Sequence, residues 1–320
     1  MWTRTLNVEA ILNQKIITPR SCLMLAVCFG VLALGTSPAM ARDNDLVLSR
    51  LATFNPQPCG STGQNICGVA NPEQDKFNNL VADLGQVFAP RLANPAETLG
   101  EAGFALAIMG SVSTIDPNAD YWQQAISDGD APGAFFTGHV QVRKGLPFSF
   151  ELAGNMSYLG NSEMFAVGSD IKWALHEGFF FMPDVAVRGS INTVLGAEYL
   201  NLFNVGWDVS VSKDFGLGGV LSIAPFAGYQ NLYTFGSSRL INAYPQDPRP
   251  PQTSTNSAGM TEVFAPEFVF DRHDATANRF FLGARLDVWI MSFILEGVVG
   301  GKSATGKRVN QFTFSGGLDF

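Results

Sequence analysis

The sequence of 320 residues has little charge and lacks long apolar runs beyond its N-terminus. Only 15% of the residues are charged. After the first forty residues, no stretch reaches the eighteen or so consecutive apolar residues that indicate a transmembrane helix. The net charge of −8 argues against nucleic acid as a partner, because binding it requires clustered positive charge.

Aromatic and small residues are abundant instead. The chain contains 26 phenylalanines and 33 glycines. A chain that is apolar, rich in aromatics and without a membrane-helix signal can enter a membrane in another form, the closed β-barrel. In a barrel the apolar residues occupy alternate positions along each strand, so they form no long run.

The N-terminus is typical of a secretory signal peptide. Residues 22–35 form an apolar run that is short for a membrane span. Lys15 and Arg20 precede the run, and small residues lead up to Ala41, as at a cleavage site. We predict a signal peptide over residues 1–41, with an N-terminal membrane anchor as the alternative.

Two cysteines follow the predicted signal peptide, Cys59 and Cys67. In an exported protein, an even pair at this spacing predicts a disulfide. A metal site is less well supported, because no histidine lies nearby. A redox-active pair is also less well supported, because the spacing is not C-x-x-C. We predict neither a metal nor a cofactor.

Residues 42–99 are predicted to form a periplasmic N-terminal segment. Residues 42–70 show no pattern of regular structure. An amphipathic helix is predicted over residues 72–89, with Asn71 as N-cap and Pro72 at the first helical position. This helix would either pack on the periplasmic rim of the following domain or insert into it as a plug.

From residue 100 onward, apolar and polar residues alternate in long segments. The last of them, VNQFTFSGGLDF, keeps this alternation up to Phe320. The bulky residues share one face, which suits lipid, and small polar residues share the other. The pattern predicts an all-β fold, a transmembrane antiparallel up-and-down β-barrel over residues 100–320. We expect about ten strands, with 8–12 possible, after a short N-terminal helical segment.

The lengths of the connections predict an orientation for the barrel. Short turns should lie in the periplasm and longer loops outside the cell. The connections predicted to face outward are residues 115–132, 159–163, 196–201, 236–277 and 301–308.

Together, these features resemble the bacterial outer-membrane β-barrel class, and in particular porin-like barrels. The resemblance rests on the predicted signal peptide, the alternating strands and the terminal aromatics Phe312, Phe314 and Phe320. It implies a location in the outer membrane of a Gram-negative cell, with lipid and lipopolysaccharide as surroundings. It also implies that the terminal aromatics are an assembly signal for the barrel-assembly machinery.

The alternation places a set of charged residues on the predicted lumen face. They are Glu101, Arg143, Glu151, Asp170, Lys172, Arg188, Asp208, Arg285, Asp287 and Glu296. These charges would either pair and fill the lumen or line a polar path for a small-molecule solute. The predicted function is a porin-like channel or transporter for small or hydrophobic molecules. The alternative is a structural or surface-interaction protein with a filled, non-conducting lumen.

A third hypothesis is a barrel hydrolase. His273 lies in a predicted outward loop between Asp271 and Asp274, and an Asp–His pair can act as a general base. Neighbouring residues of one loop seldom converge on a substrate, and the sequence contains no Walker loop, H-E-x-x-H or G-x-S-x-G motif. We therefore predict that the protein is not an enzyme.

Overall fold

The computed structural model describes residues 42–59, 65–127, 129–217, 220–246, 250–255, 261–303 and 305–320. The predicted signal peptide lies outside the described residues. Among the described residues, no helix combines the length and the apolar character needed to cross a bilayer.

Ten long strands form the main sheet. In chain order they are β1 (Phe104–Thr114), β2 (Ala134–Leu146), β3 (Phe150–Leu159), β4 (Phe165–His176), β5 (Asp184–Leu195), β6 (Leu200–Ser212), β7 (Leu221–Ser238), β8 (His273–Val288), β9 (Met291–Lys302) and β10 (Arg308–Asp319).

The sheet closes on itself. Each strand pairs in an antiparallel manner with the next, and β10 returns to pair with β1, where Phe314 lies opposite Gly110. The backbones of Phe104 and Phe320 also exchange hydrogen bonds of 2.9 and 2.7 Å at this seam. The predicted barrel architecture and the predicted strand number are confirmed.

Successive residues of each strand face opposite sides of the barrel wall, as the pleat requires. In β1, Ile108 is 67% exposed on the outer face, whereas its neighbour Met109 is 3% exposed on the inner face. The outer face carries the large apolar side chains, and the inner face carries most of the small and polar ones. The predicted assignment of the two faces therefore holds along the strands.

The barrel has two different ends. At the turn end the connections are residues 147–149, 177–183, 213–220 and 289–290, with the short strand Phe215–Leu217 in the third. At the loop end they are residues 115–133, 160–164, 196–199, 239–272 and 303–307.

Residues 42–59 and 65–73 fold at the loop end of the barrel. Their longest strand, Asn65–Pro72, pairs in parallel with Thr261–Ala265 of the longest loop. The predicted disulfide between Cys59 and Cys67 is present, with the two Cα atoms 5.8 Å apart. The other elements here are a 3-10 helix (Leu48–Leu51) and strands Ala52–Phe54, Gln57–Cys59 and Gln252–Thr255, with a small pair formed by Ile241–Asn242 and Glu267–Phe268.

The helix that follows, α1, spans Gln74–Val87, which is shorter than the predicted range of 72–89. Pro72 is instead the last residue of the preceding strand, where it lies opposite Ala52. A second short helix, α2 (Asp120–Ala125), lies in the first loop. The expectation that residues 42–70 lack regular structure was also wrong, since short strands of this polar stretch pair with one another and with Thr261–Ala265 of the longest loop.

Two expectations about orientation conflict. Residues 42–99 were predicted to be periplasmic, and the long loops were predicted to face outward. Residues 42–73 and the long loops lie at the same end of the barrel, and Leu46 even forms a β-bridge with Ile126 of the first loop. At most one of the two expectations can therefore hold.

Candidate functional site

The lumen is lined by the inward side chains of the ten strands. Nine of the predicted charged residues occupy inward positions: Arg143, Glu151, Asp170, Lys172, Arg188, Asp208, Arg285, Asp287 and Glu296. Glu101 does not. It is exposed and lies before Phe104, the first residue of β1, so it is not part of the barrel wall. Its predicted lumen position was wrong.

The helix α1 packs against the inner face of β7. A Cβ atom on Gly85 would lie 2.1 Å from Thr234 Oγ1, and a Cβ atom on Gly236 would lie 2.4 Å from Val81 Cγ1. Both distances are far below van der Waals contact, so each approach requires a residue without a side chain. The glycines therefore allow the helix to lie directly on the strand.

After α1 the chain continues through the lumen as an irregular segment. Leu92 and Ala93 are buried and pack on an apolar cluster contributed by four strands. The cluster contains Ala107, Met109, Phe226, Phe281, Ile294 and Val298. Apolar contacts therefore hold the segment in the middle of the barrel.

Nearer the turn end, Ala96 packs on Ala174 and Ala186. Thr98 then bonds to the carboxylate of Glu177, which follows β4, and the chain enters β1. Residues 74–99 thus run from the loop end to the turn end, and we call them the plug. Of the two alternatives for the predicted helix, rim or plug, the structure has the plug.

The wall of the lumen supplies hydrogen bonds to the backbone of the plug. An irregular buried segment cannot satisfy its own peptide groups, so it needs such partners. Among the described residues, barrel side chains donate to six plug carbonyls, and three plug N–H groups donate to barrel side chains. The bonds to carbonyls are Asn204 to Gly85 O (3.2 Å), Gln311 to Gln86 O (2.8 Å) and Val87 O (3.4 Å), Asn192 to Phe88 O, and Lys172 to Pro95 O (3.1 Å) and Glu97 O (2.8 Å). The bonds from N–H groups are Ala96 to Ser212 Oγ (3.0 Å), Thr98 to Glu177 (2.8 Å) and Leu99 to Glu151 (3.1 Å).

Buried ion pairs surround the plug. Glu151 lies 3.6 Å from Arg143 and 3.2 Å from Lys172, and Arg188 lies 2.9 Å from Asp208. Burying an unpaired charge is very costly, so pairing is what allows these groups to remain in the lumen. Seven of the nine inward charges form such ion pairs, whereas Asp170 and Glu296 form none among the described residues.

Two buried arginines were missed by the sequence analysis, Arg91 and Arg279. Arg91 donates to Val87 O at 2.6 Å, and Arg279 donates to Gln230 and Gln311. Arg279 lies just before Phe280, the residue at which the alternation of apolar and polar residues in β8 begins. Arg91 follows a proline in a stretch without periodicity, and no signal in the sequence would have placed it in the lumen.

Asp83 joins the plug to the loops above it. Its Oδ2 atom accepts hydrogen bonds from Tyr121 (2.8 Å), Trp122 (3.0 Å) and Ser303 (3.2 Å). Burial raises the pKa of Asp83 above its ordinary value, although these hydrogen bonds oppose the shift. Burial and the nearby Asp83 also raise the pKa of Tyr121, so its hydroxyl remains protonated and can donate.

The remaining candidates lie outside the lumen network. Asp274 forms an ion pair with Arg272 at 2.8 Å rather than with His273, which begins β8. Phe312 and Phe314 are exposed on the outer face, and Phe320 lies at the seam with β1. The role of these three phenylalanines as an assembly signal stays a prediction.

No protein-family model matches the sequence, and no curated protein matches it. Solved structures with a similar fold include Ail, the attachment invasion locus protein of Yersinia pestis (8% identity, covering 69% of this chain and 99% of Ail, TM-score 0.27). The N-terminal β-barrel domain of Pseudomonas aeruginosa OprF is 12% identical and covers 69% of this chain and 99% of that domain, with a TM-score of 0.25. An outer membrane channel from Pseudomonas putida F1 is 9% identical and covers 72% of this chain and 100% of the channel, with a TM-score of 0.33.

These likenesses concern the barrel fold, and at such identities and TM-scores they carry no argument about function. The closed antiparallel barrel with an apolar outer face and a polar inner face is the architecture of the outer-membrane β-barrel class.

Proposed function

We propose that this outer-membrane barrel is kept closed by its own plug and acts as a structural or surface-interaction protein rather than as an open porin. The observation that supports this proposal is the course of residues 74–99 through the lumen, bonded to the wall on the way. A porin requires a continuous polar path, and the plug occupies the centre of that path.

Anchors at both ends favour a plug that stays in place. Toward the turn end, only residues 100–103 separate the plug from β1, so the barrel wall tethers this end of the plug closely. Toward the loop end, it follows residues 42–73, which are folded, closed by the Cys59–Cys67 disulfide and paired with Thr261–Ala265. This folded segment would have to unfold before it could pass through the lumen. Simple withdrawal toward the turn end is therefore unfavourable.

The lengths of the connections support an orientation with the loop end outside the cell, since short turns lie in the periplasm in this class. Residues 42–73 then belong to the outer surface, where they combine with the loops into a cap. Phe77 of the plug stacks on Phe270 of the longest loop with ring centroids 4.5 Å apart, which links the plug to the cap. The cap offers a folded surface for contacts with other molecules.

The closed state should be visible as an absence of conductance. We expect the full chain, inserted into planar lipid bilayers, to give no stepwise openings of the kind that porins give. Gly85→Leu should introduce openings, because its side chain cannot fit against Thr234 and must push α1 off β7. Current traces of the two proteins at equal insertion provide the comparison.

Ala82→Leu is the matched control on the same helix. Ala82 borders a cavity of 290 Å³ between the plug and strands β8 and β9, so a larger side chain has space there. This variant should remain closed. Regular porin-like steps from the unsubstituted chain would contradict the proposal and favour the channel hypothesis.

A labelling experiment tests the orientation. Cys59 and Cys67 form a disulfide and should not react with a maleimide. Asp43→Cys places an exposed thiol at the loop end, and Phe181→Cys places one at the turn end. In intact cells, a membrane-impermeant maleimide should label Asp43→Cys and leave Phe181→Cys unlabelled until the cells are broken.

The unsubstituted chain supplies the background in this experiment. The reverse pattern, with Phe181→Cys reactive in intact cells, would place the loop end in the periplasm. It would remove the surface role of residues 42–73, while the conductance experiment would still decide whether the lumen is closed.

A further inference from the structure

The outer face of the barrel carries an apolar groove across strands β8, β9, β10, β1 and β2. The groove has a volume of 1090 Å³. Its outward-pointing lining includes Leu282, Leu295, Gly297, Phe312, Phe314 and Gly110.

Glycines make the floor of this groove. Gly297 and Gly110 occupy outward positions where most strands present a large side chain. A Cβ atom on Gly297 would meet Phe312 at an ordinary 3.8 Å, so close packing does not require glycine there. The missing side chains leave a recess between aromatic walls.

A second cavity lies directly above the groove, toward the loop end. Among the described residues, the ladder between β8 and β9 ends at the pair Phe280–Val299, and the register is irregular between Val299 and Lys302. The cavity of 290 Å³ at this point crosses the wall. On the inside it borders Ala82 and Gln86 of the plug, and on the outside it borders the outward residues Asn278, Phe280, Lys302 and Arg308. Phe280 and Leu282 are successive outward residues of β8, so the cavity and the groove adjoin.

The upper cavity has a positive rim. Lys302 and Arg308 lie opposite each other in the β9–β10 register, and both are exposed. Among the described residues, neither pairs with a carboxylate. Arg308 donates to Gly300 O at 3.1 Å, and the nearby Lys307 is paired with Asp116 at 2.7 Å. Two like charges directly opposite each other are unfavourable unless an anion lies between them.

We propose that this outer-face site binds one phosphate-bearing, acylated lipid of the leaflet at the loop end. The acyl chains lie in the groove, and the phosphate lies between Lys302 and Arg308. Position supports this occupant, since the outer face is apolar up to Phe312 and becomes polar at Asn310 and Arg308, as at a membrane boundary. The proposal does not depend on whether the lumen conducts.

Selectivity should come mainly from the two cations. Surrounding lipid chains are as apolar as the groove, so filling it yields no large hydrophobic gain over ordinary lipid contact. Basic residues near a membrane surface attract anionic lipids, with about 1 kcal/mol for each residue. The groove, in turn, favours an anionic lipid, which carries acyl chains, over a free anion, which has none.

Native mass spectrometry of the full chain in detergent micelles, titrated with phosphatidylglycerol, tests the site. We expect a single tightly retained lipid, and less retention of zwitterionic phosphatidylcholine. Lys302→Gln and Arg308→Gln should each weaken retention by roughly fivefold, the change that corresponds to about 1 kcal/mol. Gly297→Leu, which fills the groove, should also weaken it.

Gly154→Leu is the control for the groove variant, because Gly154 is exposed on the outer face of β3, outside the groove, with nothing within 4 Å of an added Cβ. It should retain lipid like the unsubstituted chain.

Equal retention by all variants, or equal retention of the two lipids, would overturn the proposal. Displacement by glycerol 3-phosphate as effective as by the lipid would also overturn it, since the site would then bind a free anion. Heat-modifiable mobility on gels verifies folding, and the exposed Lys302→Gln keeps the test available if Gly297→Leu does not fold.

Discussion

Replacing Glu151 with alanine should lower the free energy of unfolding by about 3–5 kcal/mol. Glu151 pairs with Arg143 at 3.6 Å and with Lys172 at 3.2 Å, and all three side chains are 3% exposed. Without the carboxylate, the positive charges of Arg143 and Lys172 remain buried beside the plug with much less negative charge to balance them. A urea titration of the protein refolded in lipid vesicles measures the difference.

Two further variants separate the charge from other effects. Glu151→Gln keeps an acceptor for the N–H of Leu99, which lies 3.1 Å from Glu151 Oε2, and should lose less stability. Asp287→Ala breaks a pair with Arg285 whose side chains are 26% and 15% exposed, and solvent screening should limit its cost to about 1 kcal/mol or less. If Glu151→Ala cost no more than Asp287→Ala, the lumen would be wetter than the structure indicates.

The barrel could be predicted because its two faces meet different surroundings. Lipid selects bulky apolar residues on one face of each strand, and the lumen selects small or polar residues on the other, so alternation is visible along most strands. The pattern fails where the outside is no longer lipid. In β8 the outward residues Thr276 and Asn278 are polar and the inward residues Ala275 and Ala277 are apolar, so the predicted loop extended to residue 277, whereas the strand begins at His273.

The candidate site was predicted only in part. The alternation along the strands identified Arg143 and Lys172 as inward residues. It could not show which charged groups form ion pairs, because this depends on the register between strands of the barrel. The plug was harder still. Residues 88–99 have no periodicity, and their partners are remote in sequence, as Gln311 and Gln86 illustrate at a separation of 225 residues.

The plug also changes what the inner face tolerates. Alternation alone would make an inward serine such as Ser210 a mild site for arginine, since a polar lumen would hold water. Ser210 is 4% exposed, and the next inward residue, Ser212, accepts a hydrogen bond from the N–H of Ala96 in the plug. A large charged side chain at Ser210 would therefore meet buried protein rather than open water, so the tolerance of inward positions cannot be inferred from the strand pattern.

On the outer face, Ile108→Arg should cost about 2–4 kcal/mol, the value for a cation near the bilayer midplane. Ile108 is 67% exposed in the middle of β1, so the arginine would have to enter hydrocarbon. Ala134→Arg is the matched control, because Ala134 is an outward residue at the loop end of β2, where the cost of a cation falls to about 0–1 kcal/mol. Ile108→Trp should be nearly neutral in lipid, whereas a packed protein interior would lose about 1–3 kcal/mol to overpacking. Urea titrations in lipid vesicles give all three values. Equal costs for the two arginine variants, or a large cost for Ile108→Trp, would mean that this face does not meet lipid, and the membrane assignment of the barrel would fall with it.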